Sequence, residues 1–318
     1  MQISALGRYI IKRLLLLIPV LLGVSLLSFS LIKLAPGSAV TYMLGDQASE
    51  AMVRALERQL NLDQPFFTQY FSWLANALQG EFGMSFVTQI PITELIAQRL
   101  AVTLELSVIA IVITLLIAIP LGVAAATKQN RLPDHTVRFI AVAGVSIPDF
   151  WSGIILIFLL GVQFQWVAPG GYTPISEGLL PHLRSVILPA CILAFINLAL
   201  ITRMLRASML DVLSQNFIQA GRSFGIAERE LVWRDALKNA FIPTLTVIGL
   251  TIGIMLSGAV MLETVFSLPG LGKLLVDAVF QRDIPVLQAV LTLIGCFYVL
   301  VNLFIDVGYS MLDPRIRF

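Results

Sequence analysis

Six stretches of this chain are each long and apolar enough to cross a bilayer: residues 10–32, 100–126, 139–161, 186–204, 241–262 and 286–309. A hydrocarbon core of ~30 Å needs ~20 apolar residues of helix. Inside it every backbone polar group must be satisfied within the chain, so each stretch is expected to be helical. Composition agrees. Of the 318 residues 58% are hydrophobic and 13% charged, where a soluble domain carries about 25% charged residues. Mean hydropathy is +0.89. A net charge of +2 leaves no electrostatic footprint for nucleic acid. The expected fold is an all-α integral membrane protein with six transmembrane helices.

The first stretch follows Arg8, Lys12 and Arg13, as a signal peptide would. It is longer than a signal h-region, typically 7–15 residues. Pro36 also directly follows Ala35 and spoils the cleavage site. The stretch reads as an uncleaved anchor. Orientation follows from the basic residues of short loops. Arg8, Lys12 and Arg13 precede the first stretch, and Lys128, Arg131 and Arg138 separate the second and third. Arg203, Arg206, Arg222, Arg229, Arg234 and Lys238 separate the fourth and fifth, and Arg315 and Arg317 lie beyond the last. Residues 33–98 instead carry Asp46, Glu50, Glu57, Asp63, Glu81 and Glu94. Both termini are therefore expected on the cytoplasmic side.

The chain divides into an N-terminal span (1–34), an external (periplasmic) helical segment (35–98) and a five-helix core (99–318), with cytoplasmic helices at about 207–240. In the external segment, Ala48, Met52, Val53, Leu56 and Leu60 have helical spacing. Phe66, Phe67, Tyr70, Phe71 and Trp73 follow. Aromatics beside a span suit the membrane interface, or a small domain that meets a partner. In the cytoplasmic segment Ser214 is the expected N-cap of a helix through Phe217, Ile218, Ala220 and Gly221, interrupted near Gly225. A second helix over 227–240 alternates Leu231, Val232, Trp233, Ala236 and Leu237 with Arg229, Arg234 and Lys238. Such a pair fits either an anionic lipid surface or a groove in a cytoplasmic partner.

The stretch Gln219-Ala-Gly-Arg-Ser-Phe-Gly225 resembles the Glu-Ala-Ala-x-x-x-Gly loop of ABC importer permeases, with Gln219 in place of the Glu and Gly221 in place of the second Ala. Further matches run along the chain: Gly80-Glu-Phe-Gly83-Met-Ser85, Thr103-Leu-Glu-Leu106, Arg234-Asp-Ala-Leu-Lys-Asn-Ala-Phe-Ile-Pro243, Glu263-Thr-Val-Phe-Ser-Leu-Pro-Gly-Leu-Gly272 and Asp313-Pro-Arg-Ile-Arg317. Their order and spacing resemble the dipeptide, oligopeptide and nickel permeases, in the subunit type with a long first external loop. The resemblance implies a homologous second permease subunit, two ABC ATPase subunits, and a periplasmic or lipid-anchored solute-binding protein. It implies that Gln219, Ala220, Gly221 and Gly225, with Arg222 and Phe224, couple the membrane part to the ATPase. The implied cargo is peptide first. Nickel or a metal chelate is the alternative, and glutathione, opines and oligosaccharides belong to the same branch.

A pathway for polar cargo needs groups that hydrocarbon rejects. Asp149, after Pro148, lies midway through the third stretch, Asn197 at similar depth in the fourth, and Glu105 nearer the outer surface. A charge at bilayer centre costs ~2.5–3.5 kcal/mol on insertion scales, so Asp149 is expected to face a cavity. For Asn197 and Glu105 interhelical hydrogen bonding competes with pathway lining. Gly249, Gly253 and Ser257 recur every four residues, which permits close helix packing, internal or between permeases.

Enzymatic classes find little support. His135 and His182 read as solvated loop residues on opposite sides, and no His-Glu-x-x-His pattern or metal-ligand cluster is present in the sequence. Pro269-Gly-Leu-Gly-Lys273 superficially resembles a phosphate loop but lacks the first glycine and the Ser/Thr, since Ser267 and Leu274 occupy those positions. It reads as a turn and short re-entrant element, so ATP hydrolysis is assigned to other subunits and no cofactor is expected here. Cys191 and Cys296 lie in apolar runs and read as small buried hydrophobes. An ion-coupled secondary transporter is the rival class; it would carry ion sites at broken helices and often an inverted repeat. Membrane lipid is a partner under either reading.

Overall fold

The computed structural model describes residues 2–34, 49–59 and 63–312, and the regular secondary structure in them is helical. Asp46, Leu60, Arg315 and Arg317 lie outside the described residues, as do the side chains of Arg8, Asp149 and Ser257. The first helix, α1 (Gln2–Leu34), contains Pro19. Two short helices follow, α2 (Glu50–Gln59) and α3 (Phe66–Leu78). Then α4 (Ile92–Thr127) runs for 36 residues, ~54 Å at 1.5 Å per residue. It starts well before residue 100 because Glu94, Gln98 and Arg99 interrupt the apolar run without interrupting the helix.

The third stretch is not one helix. α5 (Leu132–Ser146) ends at Ile147, which is extended at φ −101°, ψ 120°, and α6 (Asp149–Leu156) begins after Pro148. A proline excludes the residue before it from helical geometry, so the chain breaks here rather than kinking. α6 passes into a π-helical segment, π1 (Ile157–Gln163). Among the described residues, five helical segments are long and apolar enough to cross a membrane: Lys12–Ser30, Ile92–Thr127, Leu179–Leu213, Glu228–Gly253 and Ile284–Ile305. The remaining stretch contributes only the shorter apolar helix Phe150–Gln163.

A 3-10 turn (Ile175–Glu177) leads into α7 (Leu179–Leu213), the central helix. Its Leu188, Ile192 and Leu193 pack with Leu106 and Ala110 of α4 and with residues of the fifth span. After α8 (Asn216–Ser223), the chain continues through α9 (Glu228–Glu230), π2 (Leu231–Ala236) and α10 (Leu237–Val265) without a gap. The amphipathic segment expected at 227–240 is thus the foot of the fifth span. Then come α11 (Leu271–Gln281) and α12 (Ile284–Leu312), and α12 packs against α1.

Buried carboxylates tie these helices where polar groups would otherwise be stranded. Glu263 of α10 is fully buried. One oxygen accepts from Thr103 Oγ1 at 2.6 Å, the other from the backbone N–H of Gly272 (2.7 Å) and Lys273 (3.1 Å). The segment that superficially resembles a phosphate loop is therefore an anion cradle at a helix N-terminus, and the anion is the chain's own glutamate. Asp283, also buried, accepts from Ser85 Oγ (2.5 Å) and the N–H of Phe86 (3.1 Å), which fastens the loop before α4 to the α11–α12 corner.

Candidate functional site

The foot of α7 and the fifth span carries the element singled out by the sequence. α7 runs through Leu213, so Ser214 closes that helix, its hydroxyl donating to the Asp211 carbonyl at 2.8 Å. It is not the N-cap expected. Gln215, extended at φ −75°, ψ 152°, takes that place and reverses the chain into α8. α8 buries Ile218 and Gly221. A Cβ on Gly221 would lie 2.6 Å from Leu231 Cδ2, so a larger residue here would require the Leu231 side chain to move. Ile218 joins a cluster with Val123 and Ala126 of α4, Leu205 and Met209 of α7, and Val232 and Ala236 of π2. The wider π turn places Leu231 and Ala236, five apart, on one buried side; π segments are frequent at functional sites.

The helix ends in a Schellman motif. Gly225 has φ +77°, its N–H donates to the Arg222 carbonyl (3.0 Å), and the Ile226 N–H donates to the Gly221 carbonyl (3.1 Å). Glycine reaches this φ without the penalty a Cβ brings. Across the turn Arg222 donates Nε and Nη2 to the two oxygens of Glu228 at 3.0 and 2.7 Å. The pair is half-exposed and contributes on the order of a few tenths of a kcal/mol, and Arg222 holds the Glu228 carboxyl below its usual range. The outward side carries large apolar groups among polar ones: Phe224 is 86% exposed, with Phe217, Ile226 and Trp233 also exposed beside Asn216, Arg222, Ser223 and Arg229. Gln219 and Ala220 share this exposed surface, and the Gln219 amide donates to the Ser214 carbonyl at 3.4 Å.

Toward the same end of α7 lies a node that sequence reasoning missed. Asp134, in the first turn of α5, is fully buried. It accepts from Arg206 Nε (2.6 Å) and Nη2 (3.0 Å), Arg138 Nη2 (3.0 Å) and the Asn130 N–H (2.9 Å). The Arg206 guanidinium holds its carboxyl well below the ordinary carboxylate range. The node locks the α4–α5 turn to α7. Arg206 and Arg138 were legible only as loop charges.

The other predicted residues do not form one site. Asp149 starts α6 immediately after the helix break. Asn197 is buried in α7; its amide donates within that helix to the Leu193 carbonyl (2.7 Å), and its Oδ1 has no partner among the described residues. Glu105 accepts from the Tyr172 hydroxyl at 2.9 Å and pairs with His182 Nε2 at 2.5 Å. Burial, then Glu105, pushes the Tyr172 hydroxyl up to about 12. His182 is not a solvated loop residue: it is buried in the first turn of α7, with Nδ1 2.8 Å from the Thr173 carbonyl. Glu105 is its compensating partner from a distant helix. His135 is exposed. Cys191 is exposed and Cys296 half-buried, so neither is a core residue of this chain. Gly249 and Gly253 face α12, where a Cβ would come within 2.3 Å of Ile305 Cδ1 and 2.1 Å of Tyr298 Cε2.

Long apolar helices around a central α7, with a seated helix turning an apolar tip outward, define a multi-pass helical membrane subunit. Residues 118–318 match the family described as binding-protein-dependent transport system inner membrane component, and residues 6–107 match the N-terminal family of the same membrane components. The chain belongs to this family: it is a multi-pass bacterial inner-membrane permease component, a transport subunit of an ABC transporter. It is 38% identical over 312 residues to a probable peptide ABC transporter permease protein, y4tP, of Sinorhizobium fredii, covering 98% of this chain and 100% of that one. It is 39% identical over 313 residues to the oligopeptide transport system permease protein AppB of Bacillus subtilis, covering 98% and 99%. It is 38% identical over 310 residues to the glutathione transport system permease protein GsiC of Escherichia coli, again covering 98% and 99%. A chain from inward-facing structures of the MetNI methionine ABC transporter shares the fold, with a TM-score of 0.56, 18% identity, and coverage of 69% of this chain and 96% of that one.

Proposed function

We infer that this chain forms, with a homologous second permease, the membrane pathway of an importer for short peptides, and that α8 couples it to one of two ATPase subunits below. The observation that carries the coupling role is the contrast between the two sides of α8. Ile218 and Gly221 are fixed against the feet of three spans, while Phe224, 86% exposed, projects from a glycine turn. A tip so seated can transmit a push into α7 and the fifth span without absorbing it. Gln219, in place of a glutamate, removes one negative charge from this contact surface. Asp149 and Asn197 are the pathway candidates. Glu105 is already engaged by His182 and Tyr172 and acts as a tie near the outer mouth. Both termini and α8 lie on the cytoplasmic side in this reading.

Peptide is preferred as cargo over nickel or a metal chelate because the relatives described above are named for peptides, oligopeptides or glutathione, itself a tripeptide. The solute-binding protein, which makes the first selection, is expected to hold a short peptide when isolated with the transporter. The test of coupling is Gly225→Pro. Proline fixes φ near −65° and removes the N–H that caps α8, whereas Gly225 sits at φ +77°. The variant is expected to insert and assemble normally, while ATP hydrolysis in proteoliposomes no longer drives uptake. Normal uptake by the variant refutes the coupling role.

A further inference from the structure

We propose that α3 lies in the bilayer interface at the carboxyl-terminal end of α1, with Phe67, Phe71 and Leu78 inserted among lipid acyl chains. The inference is independent of the coupling role of α8.

The 13 residues of α3 include no charged side chain. They divide into three stripes at helical spacing. Phe66, Tyr70 and Trp73 form the first and pack around Phe29 of α1, with ring centroids 5.3, 5.6 and 6.1 Å away. Phe67, Phe71 and Leu78 form the second and are 64%, 61% and 81% exposed. Thr68, Ser72 and Asn76 form the third, exposed, polar and uncharged.

Depth decides what covers the second stripe. Phe29 belongs to the apolar span Lys12–Ser30. The Tyr70 hydroxyl reaches deeper, to 2.8 Å from Ser25 Oγ and 3.3 Å from the Leu22 carbonyl. At 1.5 Å per residue, Ser25 lies ~8 Å and Leu22 ~12 Å below the end of that span. A tyrosine whose hydroxyl finds its partners on the spanning helix meets the demand that hydrocarbon makes of a polar group. Other residues of the same span, Leu22 and Leu27, are 42% and 65% exposed, as side chains in contact with lipid are. Amphipathic helices at interfaces bury an apolar side ~5–10 Å into the headgroup–acyl boundary, the depth at which α3 meets α1. With the first stripe on α1 and the second in lipid, the third turns toward headgroups and water.

Nitroxide accessibility tests this directly. The full chain, assembled with its transporter partners, is reconstituted in phosphatidylethanolamine–phosphatidylglycerol liposomes. Cys191 and Cys296 are replaced, and one label is placed at Phe67→Cys, Phe71→Cys or Asn76→Cys, with Leu27→Cys as the lipid reference. Labels at 67 and 71 are expected to relax with oxygen as strongly as the label at 27 and severalfold less with chromium oxalate. The label at 76 is expected to show the reverse preference. Strong relaxation of the 67 and 71 labels by chromium oxalate would place the stripe in water. Protection from both reagents would mean that another protein covers it. Either result overturns the proposal.

Discussion

At the residue scale the decisive features are buried charges whose partners are far away in sequence. Asp134 is the clearest. It is folded around two guanidinium groups, so removing the charge leaves Arg206 with an uncompensated, partly buried cation. Breaking a buried pair costs ~3 kcal/mol, and Asp134→Asn is expected to lower thermal stability in detergent by about that amount at neutral pH. The carboxyl is held below its unfolded-state value near 4, with Arg206 the leading cause. Its contribution is therefore complete above that value and is lost as pH falls through the depressed one. Melting curves of the parent and the variant should converge as the medium is acidified below about pH 4. A gap of constant size would show that the charge plays no part.

At the element scale the helices are held by polar cradles and by close approaches rather than by hydrophobic drive, which is weak between helices in lipid. The Glu263 cradle joins α10, α11 and α4 in one contact. Glu263→Ala strands the N–H groups of Gly272 and Lys273 and the Thr103 hydroxyl. A buried unsatisfied group costs ~1–3 kcal/mol, so a marked drop in unfolding temperature is expected, with trypsin cutting after Lys273. An unchanged unfolding temperature would rule the cradle out as a tie. Elements were legible where the signal is local. The apolar runs marked α1, α7, α10 and α12, and Gly225 marked the end of α8, because hydropathy and a positive φ are properties of short segments. Helix ends escaped where polarity and helicity part company, as at Glu94 to Arg99 at the start of α4. The third stretch reads as one span across Pro148 because a sequence does not say how far neighbouring helices will hold a helix together across a proline. His182 looked like a loop residue because Glu105, which makes its burial tolerable, belongs to another helix.

At the scale of the whole molecule the chain resembles a lever frame. α7 runs from the Glu105–His182–Tyr172 tie at one end to the turn into α8 at the other. The fifth span runs from the Glu263 cradle to π2 at its foot, and α8 packs through Ile218 on the feet of both helices. We propose that the exposed tip at Phe224 is where a partner subunit docks, and that a partner moving it supplies the other half of the machine. That is the central claim, and the most direct measurement is a cross-link from the tip. With Phe224→Cys in a background lacking Cys191 and Cys296, a thiol-reactive photo-crosslinker in inside-out vesicles is expected to join this chain to the ATPase subunit, with a yield that changes on adding ATP. If the same cysteine is instead labelled by a membrane-impermeant reagent from outside intact cells, or cross-links only to lipid, the account is contradicted.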